Sequence, residues 1–326
     1  MNRVENRHVV RCLFGMLVLA FLALLPAFFS GYILSFMIIT FMFVILAGSW
    51  NLFCGFTGYI SLGHGMFFGA GAYTFAWSVV EKGWPYATSI ALAAIVSGLL
   101  AFLIALILLT NRIQVAYFAM ITLGFNEILQ TICANSEALG ESYGFTIPPI
   151  SHLYVPYYVL LIAMVILVVG TLLLSRSPVG MALKSILQDE EVAETTGVNT
   201  TRIKIIFFTL SGIFPGIAGA IMAWFWSYID PYTGFDLVLS FQIAIMVILG
   251  GMGTVFGPVI AAAFMSGLIE ILSTNIPHFH NIIFGTLVTI IIIISPKGMM
   301  EIIEKLFRSK RSYVARSNRE IGTTGD

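Results

Sequence analysis

Between about residue 12 and residue 296 the chain is a succession of apolar stretches, each near the length of a membrane crossing, and this pattern dominates everything else in it. A helix needs about 20 apolar residues to cross the hydrocarbon core, fewer where it is bent or broken. Ten segments fit, at 12–30, 33–52, 66–80, 87–110, 115–133, 156–175, 203–228, 237–250, 258–273 and 281–296. The third, eighth, ninth and tenth are short, so eight crossings with re-entrant pieces stand as an alternative count. The expected fold class is all-α, a polytopic membrane protein forming a single transmembrane unit over residues 1–326.

Composition supports this reading. Hydrophobic residues make up 59% of the chain and charged residues only 10%, where a soluble domain carries about 25% charged. Lys and Arg, 16 in all, balance 16 Asp and Glu. Total charge therefore says nothing about partners, and no nucleic-acid partner is indicated. Cys12, Cys54 and Cys133 lie in apolar segments without metal-ligand spacing and read as small buried residues. Arg3, Arg7 and Arg11 precede an apolar run that is longer than the 7–15 residues of a cleaved signal core, and no A-x-A site follows it, so the run reads as the first membrane helix.

Charge placement gives an orientation, because short cytoplasmic loops concentrate Lys and Arg. With ten crossings and a cytoplasmic N-terminus, the C-terminus returns to the cytoplasm. Arg3, Arg7, Arg11, Arg112, Arg176, Lys184, Arg202, Lys204 and the basic residues from Lys297 to Arg319 then share that side, leaving only Lys82 outside. The outer side receives Glu137, Glu141, Asp230 and Asp236, with an aromatic belt of Trp84, Tyr86, Tyr154, Tyr157, Tyr158, Trp224, Trp226, Tyr228 and Tyr232. Residues 301–326 form a basic cytoplasmic tail.

Two glycine-rich runs interrupt the apolar pattern, Cys54–Gly65 (CGFTGYISLGHG) and Gly250–Pro258 (GGMGTVFGP). Irregular backbone at membrane depth needs protein or a water-filled cavity beside it, and discontinuous segments in two halves point to a transport pathway. Asn51, Thr57, Ser61, His64, Gly250, Gly251 and Gly253 are the candidate pathway residues. The competing reading is that the glycines only allow close helix packing. Glu127, Glu270 and His64 are ionisable within apolar segments and hence functional candidates. Each also has a structural reading: Glu127 in a polar interhelical contact near Asn126 and Gln130, Glu270 reaching the outer interface, and His64 bonding a carbonyl.

Arg176–Lys204 is the one long hydrophilic run between apolar spans. Ser177 followed by Pro178 reads as an N-cap and first helical residue. Val179, Ala182, Leu183 and Ile186 then share one face. Asp189 is placed to cap a second short helix with Glu190, Glu191 and Glu194, where carboxylates suit the positive end of the dipole. Gly197 is placed to end it, and Asn199, Thr200 or Thr201 to cap the next span. Two short helices at the membrane surface are expected.

Within that run, Glu191, Ala193 and Gly197 form E-x-A-x-x-x-G, which resembles the coupling motif of permease subunits in ATP-binding-cassette importers, with Val192 where Ala is usual. Residues 51–73, NLFCGFTGYISLGHGMFFGAGAY, are similar to the signature of the branched-chain amino acid permease family of such importers, matching at Asn51, Leu52, Gly55, Gly58, Ser61, Leu62, Gly63, His64, Phe67, Gly69, Gly71, Ala72 and Tyr73. Tyr117–Leu129, Ser177–Gly180 and Gly250–Pro258 extend the likeness over most of residues 40–270, whereas Leu139–Phe145 departs from the glycine-rich external loop usual there.

The resemblance implies a permease in the bacterial inner membrane, moving leucine, isoleucine and valine, or else urea or a short amide. It implies a related second permease, two ATPase subunits, a periplasmic or lipid-anchored binding protein, and coupling through Glu191, Ala193 and Gly197. The chain carries no G-x-x-x-x-G-K-[ST] run, so ATP hydrolysis is expected elsewhere and enzyme activity is not expected here. No cofactor or metal is expected. A proton-coupled carrier using Glu127, Glu270 and His64, or a channel, are the other classes, and neither needs a surface helix for a motor to grip.

Overall fold

A computed structural model describes residues 2–29, 31–150, 152–275, 285, 286 and 289, with side chains from Gly15 onward. Helices account for most of it. α1 (Asn2–Phe28) and α2 (Tyr32–Trp50) are followed by a π-turn over Asn51–Gly55, an extended stretch, and α3 (Gly65–Val80). Next come α4 (Tyr86–Thr110), α5 (Val115–Ala134) and α6 (Tyr154–Ser175). The surface pair α7 (Pro178–Gln188) and α8 (Glu190–Thr195) leads into α9 (Thr200–Trp226). A one-turn helix, α10 (Pro231–Gly234), then α11 (Leu237–Gly250) and α12 (Phe256–Asn275) complete the described chain.

Seven segments are long and apolar enough to cross a membrane, namely Tyr32–Gly55, Tyr86–Thr110, Val115–Ala134, Tyr154–Ser175, Thr200–Trp226, Pro231–Gly250 and Phe256–Asn275. Gly15–Phe28 and Gly65–Val80 are shorter apolar helices. The first nine expected segments thus coincide with helices. The tail, and all of the tenth segment at 281–296 except residues 285, 286 and 289, lie outside the described residues. The all-α polytopic class holds, and the two-residue strands β1 (Phe145–Thr146) and β2 (Tyr228–Ile229) only clip two loops together.

α9 is the centre of the bundle, with α3 and α4 lying along it. Lipid supplies no hydrophobic force between helices, so close packing of small residues has to hold them. A Cβ on Gly71 of α3 would fall 2.1 Å from the Gly216 carbonyl oxygen of α9, and one on Gly219 would fall 2.0 Å from the Phe68 carbonyl oxygen. These helices meet backbone to backbone.

Two features differ from the sequence expectation. Tyr157 and Trp224, assigned to an aromatic belt, are buried. Tyr157 donates to the Leu22 carbonyl at 2.6 Å, and the Trp224 ring lies 4.5 Å from that of Tyr86. Interhelical contacts claim them because their apolar faces fit the bundle seams. Asp230 and Asp236, expected only as outer-side carboxylates, cap α10 and α11 by accepting from Tyr232, Thr233 and Val238 amides. The segment entering α11 is therefore itself broken at Phe235 and Asp236, and Asn126 of α5 donates to the Phe235 carbonyl at 2.7 Å.

Candidate functional site

The two glycine-rich runs, about 200 residues apart in sequence, meet in space. Asn51, fully buried in the π-turn, donates through Nδ2 to the Thr254 carbonyl at 2.7 Å. Its Oδ1 accepts from the Gly253 amide at 2.9 Å. One side-chain amide thus satisfies a donor and an acceptor of a turn that has no ladder or helix to do so. That turn is folded tightly on itself, since a Cβ on Gly250 would lie 2.3 Å from the Gly257 carbonyl oxygen. Gly251 and Gly253 take positive φ, 103° and 72°, as the reversal between α11 and α12 requires.

The other expected pathway residues divide. Thr57 is satisfied locally, donating to the Phe53 carbonyl at 2.8 Å and accepting from the Tyr59 amide. Ser61 and His64 are fully buried, and neither the Ser61 hydroxyl nor either His64 nitrogen has a partner among the described residues. The His64 ring stands edge-on to Phe67 at 5.2 Å. Gly250 allows close packing, while Asn51, Ser61 and His64 bring polar groups into the same interior.

Of the ionisable candidates, Glu270 accepts from Tyr32 Oη at 2.9 Å, at the end of the bundle where α2 begins. Among the described residues Glu127 makes no polar interhelical contact, where one was an expected structural reading. Asn126, one position earlier, is the residue that turns inward to Phe235, which leaves Glu127 on the half-exposed side of α5. α5 is the least covered of the seven long segments.

The hydrophilic run folds into the two surface helices, and each cap is made by the expected residue. Ser177 Oγ accepts from the Gly180 amide at 3.1 Å, and Asp189 Oδ1 accepts from the Glu191 and Val192 amides at 2.9 and 3.1 Å. Asn199 Oδ1 accepts from the Arg202 amide at 3.0 Å, starting α9. Gly197 has φ +88°, the left-handed conformation that ends α8. On α7, Leu183 and Ile186 point inward as expected, but Val179 is exposed and Gly180 is buried in its place. Only a glycine fits there, because a Cβ would lie 2.0 Å from the Leu174 carbonyl oxygen. On α8, Ala193 is buried while Glu191 and Val192 face outward.

The sequence reading missed what holds α8 down. Lys204, counted there only as a cytoplasmic charge, is fully buried in the first turns of α9. Its Nζ donates to Glu190 Oε1 and, at 3.1 Å, to Tyr59 Oη, lying 4.4 Å from the centre of the Tyr59 ring. Tyr59 Oη in turn donates to Glu190 Oε2 at 2.8 Å. Thr200 Oγ1 lies 3.1 Å from Glu190 Oε1 and 2.8 Å from Glu194 Oε1, so its single proton serves one carboxylate at a time. Arg112 pairs with Glu194 at 3.3 Å, in the open. Burial pushes the Glu190 carboxyl up, but the hydrogen bonds from Lys204, Tyr59 and Thr200 and the Lys204 charge outweigh it, holding the group below its ordinary value. A signal for Lys204 was present in the sequence: it lies on one helical stripe with Thr200, Phe208, Ser211 and Pro215, all buried.

The chain's relatives point the same way. Residues 32–296 match the family model described as the branched-chain amino acid transport system permease component. The high-affinity branched-chain amino acid transport system permease protein LivM of Salmonella typhimurium is 27% identical, over 91% of this chain and 76% of its own length. LivM of Escherichia coli K12 is 26% identical, over 80% of this chain and 68% of its own. The LivH permease protein of the same Salmonella transport system type is 24% identical, over 83% of this chain and 82% of its own. No solved structure matches. An all-α bundle with two joined breaks, overlain by a capped surface helix, and a family match across most of its length place this chain in the branched-chain amino acid permease family, as a membrane transport component.

Proposed function

We propose that this chain is one membrane subunit of an ATP-driven importer of branched-chain amino acids, working beside a related second permease and powered by separate ATPase subunits that grip α8. The observation that carries this reading is the presentation of α8. Its inner side is anchored by Ala193 and Glu190, and its outer side offers Glu191 and Val192 above a turn closed by Gly197. A helix held from below and bare above suits a part that another protein must seize and move. Similarity to both LivM and LivH permease proteins of Salmonella supports a pore built from two related subunits. In that arrangement the uncovered side of α5, with Glu127, faces the second permease.

The cytoplasmic placement of both termini and of α8 follows from the basic-residue distribution. A periplasmic or lipid-anchored binding protein would deliver substrate at the opposite end, where β1 and β2 clip the loops.

Radiolabelled leucine uptake into proteoliposomes holding both permeases, the ATPases and the binding protein tests this. Uptake that needs internal ATP and the binding protein is expected. Uptake that follows an imposed proton gradient with no ATPase present would overturn the proposal.

A further inference from the structure

We infer that Lys204, Glu190 and Tyr59 form the latch that carries movement of α8 into the first broken segment, with Lys204 as the positioning residue. This rests on the reading that a separate ATPase moves α8. The structural basis is a closed ring of hydrogen bonds among three elements that are otherwise separate in the chain: Glu190 opens α8, Lys204 belongs to α9, and Tyr59 lies inside the Cys54–Gly65 break.

The ring is built so that its members move together. The Lys204 ammonium is fully buried, and its described acceptors are Glu190 and Tyr59, with the Tyr59 ring face beneath it. An unpaired buried charge is far costlier than a paired one. If α8 moved without Tyr59, one charge-assisted bond to Glu190 would break. If α8 moved away from α9, Lys204 would be left without its counter-charge. In the outer ion pair the Arg112 cation lies mostly in solvent, and Glu194 is partly exposed, so its loss leaves no buried charge unpaired. α8 is therefore loosely tied to the α4–α5 turn and tightly tied to the break.

Beyond Tyr59 the contact is continuous. Its ring meets Phe118 edge-on at 5.5 Å, Phe118 meets Phe208 at 5.5 Å, and Phe208 meets Phe67 at 5.5 Å and His64 at 6.4 Å. A second contact runs in parallel, since a Cβ on Gly58 of the break would lie 2.9 Å from Leu187 Cδ1 at the end of α7. Displacement of the surface helices thus reaches the break at two adjacent residues, Gly58 and Tyr59, and passes through a packed aromatic row to the buried His64.

The test uses the complete importer in proteoliposomes, with leucine uptake and ATP hydrolysis measured on the same preparation. Tyr59→Phe keeps the ring and removes the hydroxyl bond to Glu190. Because that bond is charge-assisted, its loss is expected to lower leucine moved per ATP about tenfold while hydrolysis stays within about twofold of wild type. Lys204→Met removes the positioning charge and should give a larger fall. The exchanged pair, Lys204→Glu with Glu190→Lys, should recover part of the coupling that either single change loses. A wild-type ratio in Tyr59→Phe would overturn the latch, as would equal loss of uptake and hydrolysis with reduced co-purification of the ATPase, which marks a simple staple. Gly197→Val separates this from the parent reading. If Gly197→Val uncouples and Tyr59→Phe does not, only the latch fails; if neither does, α8 is not the coupling element.

Discussion

Replacing Asn51 with Ala removes a side chain that joins the two broken segments directly. The Thr254 carbonyl loses a donor at 2.7 Å and the Gly253 amide loses an acceptor at 2.9 Å. An unmet buried polar group costs about 1–3 kcal/mol. Gly253 and Thr254 are only part-buried, so about 1–2 kcal/mol each is apt, or about 2–4 kcal/mol for both. One kcal/mol shifts Tm by about 2–4 °C at 150–250 residues and less in a longer chain; at about 2 °C per kcal/mol the loss corresponds to a fall of about 4–8 °C. Trp50 provides the probe, because its indole N–H donates to the Ser61 carbonyl at 2.8 Å across the first break. Tryptophan fluorescence of the detergent-purified assembly should show the shift on heating. Asn51→Asp should be no milder, since a carboxylate still accepts from Gly253 but sets a negative charge against the Thr254 carbonyl. A melting point for Asn51→Ala within about 1 °C of wild type would refute the reasoning, and would mean that glycine packing alone holds the breaks together.

Gly197→Val forces a β-branched residue into a left-handed conformation at φ +88°, at about 1–2 kcal/mol; membrane levels should stay normal while leucine uptake falls and ATP hydrolysis persists, and normal uptake at equal expression counts against the coupling role. Gly71→Val puts a side chain 2.1 Å from the Gly216 carbonyl oxygen, and overpacking that neither backbone can relieve should cost about 1–3 kcal/mol or more. A collapse in monodisperse yield is expected, and an unchanged yield would show that α3 and α9 can part freely. Glu190 titrates below its ordinary 4.5, so its ionised form stabilises the fold. That contribution is complete above the unfolded value and lost as pH falls through the depressed folded value. Hydrogen exchange of α8 amides, corrected for intrinsic rates, should accelerate below about pH 4.5 in the native protein and stay flat in Glu190→Gln; an equal response in both would assign the change to another group.

Fold class and most element positions were legible because they depend on local features. Apolar length decides which segments can cross, and Ser177, Asp189 and Asn199 each cap a helix within three residues of themselves. Such interactions need no knowledge of neighbours. The E-x-A-x-x-x-G pattern and the glycine-rich runs were visible for the same reason, being contiguous patterns with local backbone consequences.

Tertiary structure alone decided which polar residues meet. Asn51 and Gly253 look unrelated until α2 and α11 are packed, and Lys204 looks like one more cytoplasmic charge until α9 is rotated so that its stripe faces Tyr59 and Glu190. Sequence placed Asn126 and Glu127 side by side and could not say which turns inward; packing of α5 chose Asn126, because the open carbonyl of Phe235 lies on that side. An apolar all-round helix carries little rotational information of its own. Its azimuth is set by where small residues such as Gly71, Gly216 and Gly219 let backbones approach, and those contacts depend on every partner helix at once.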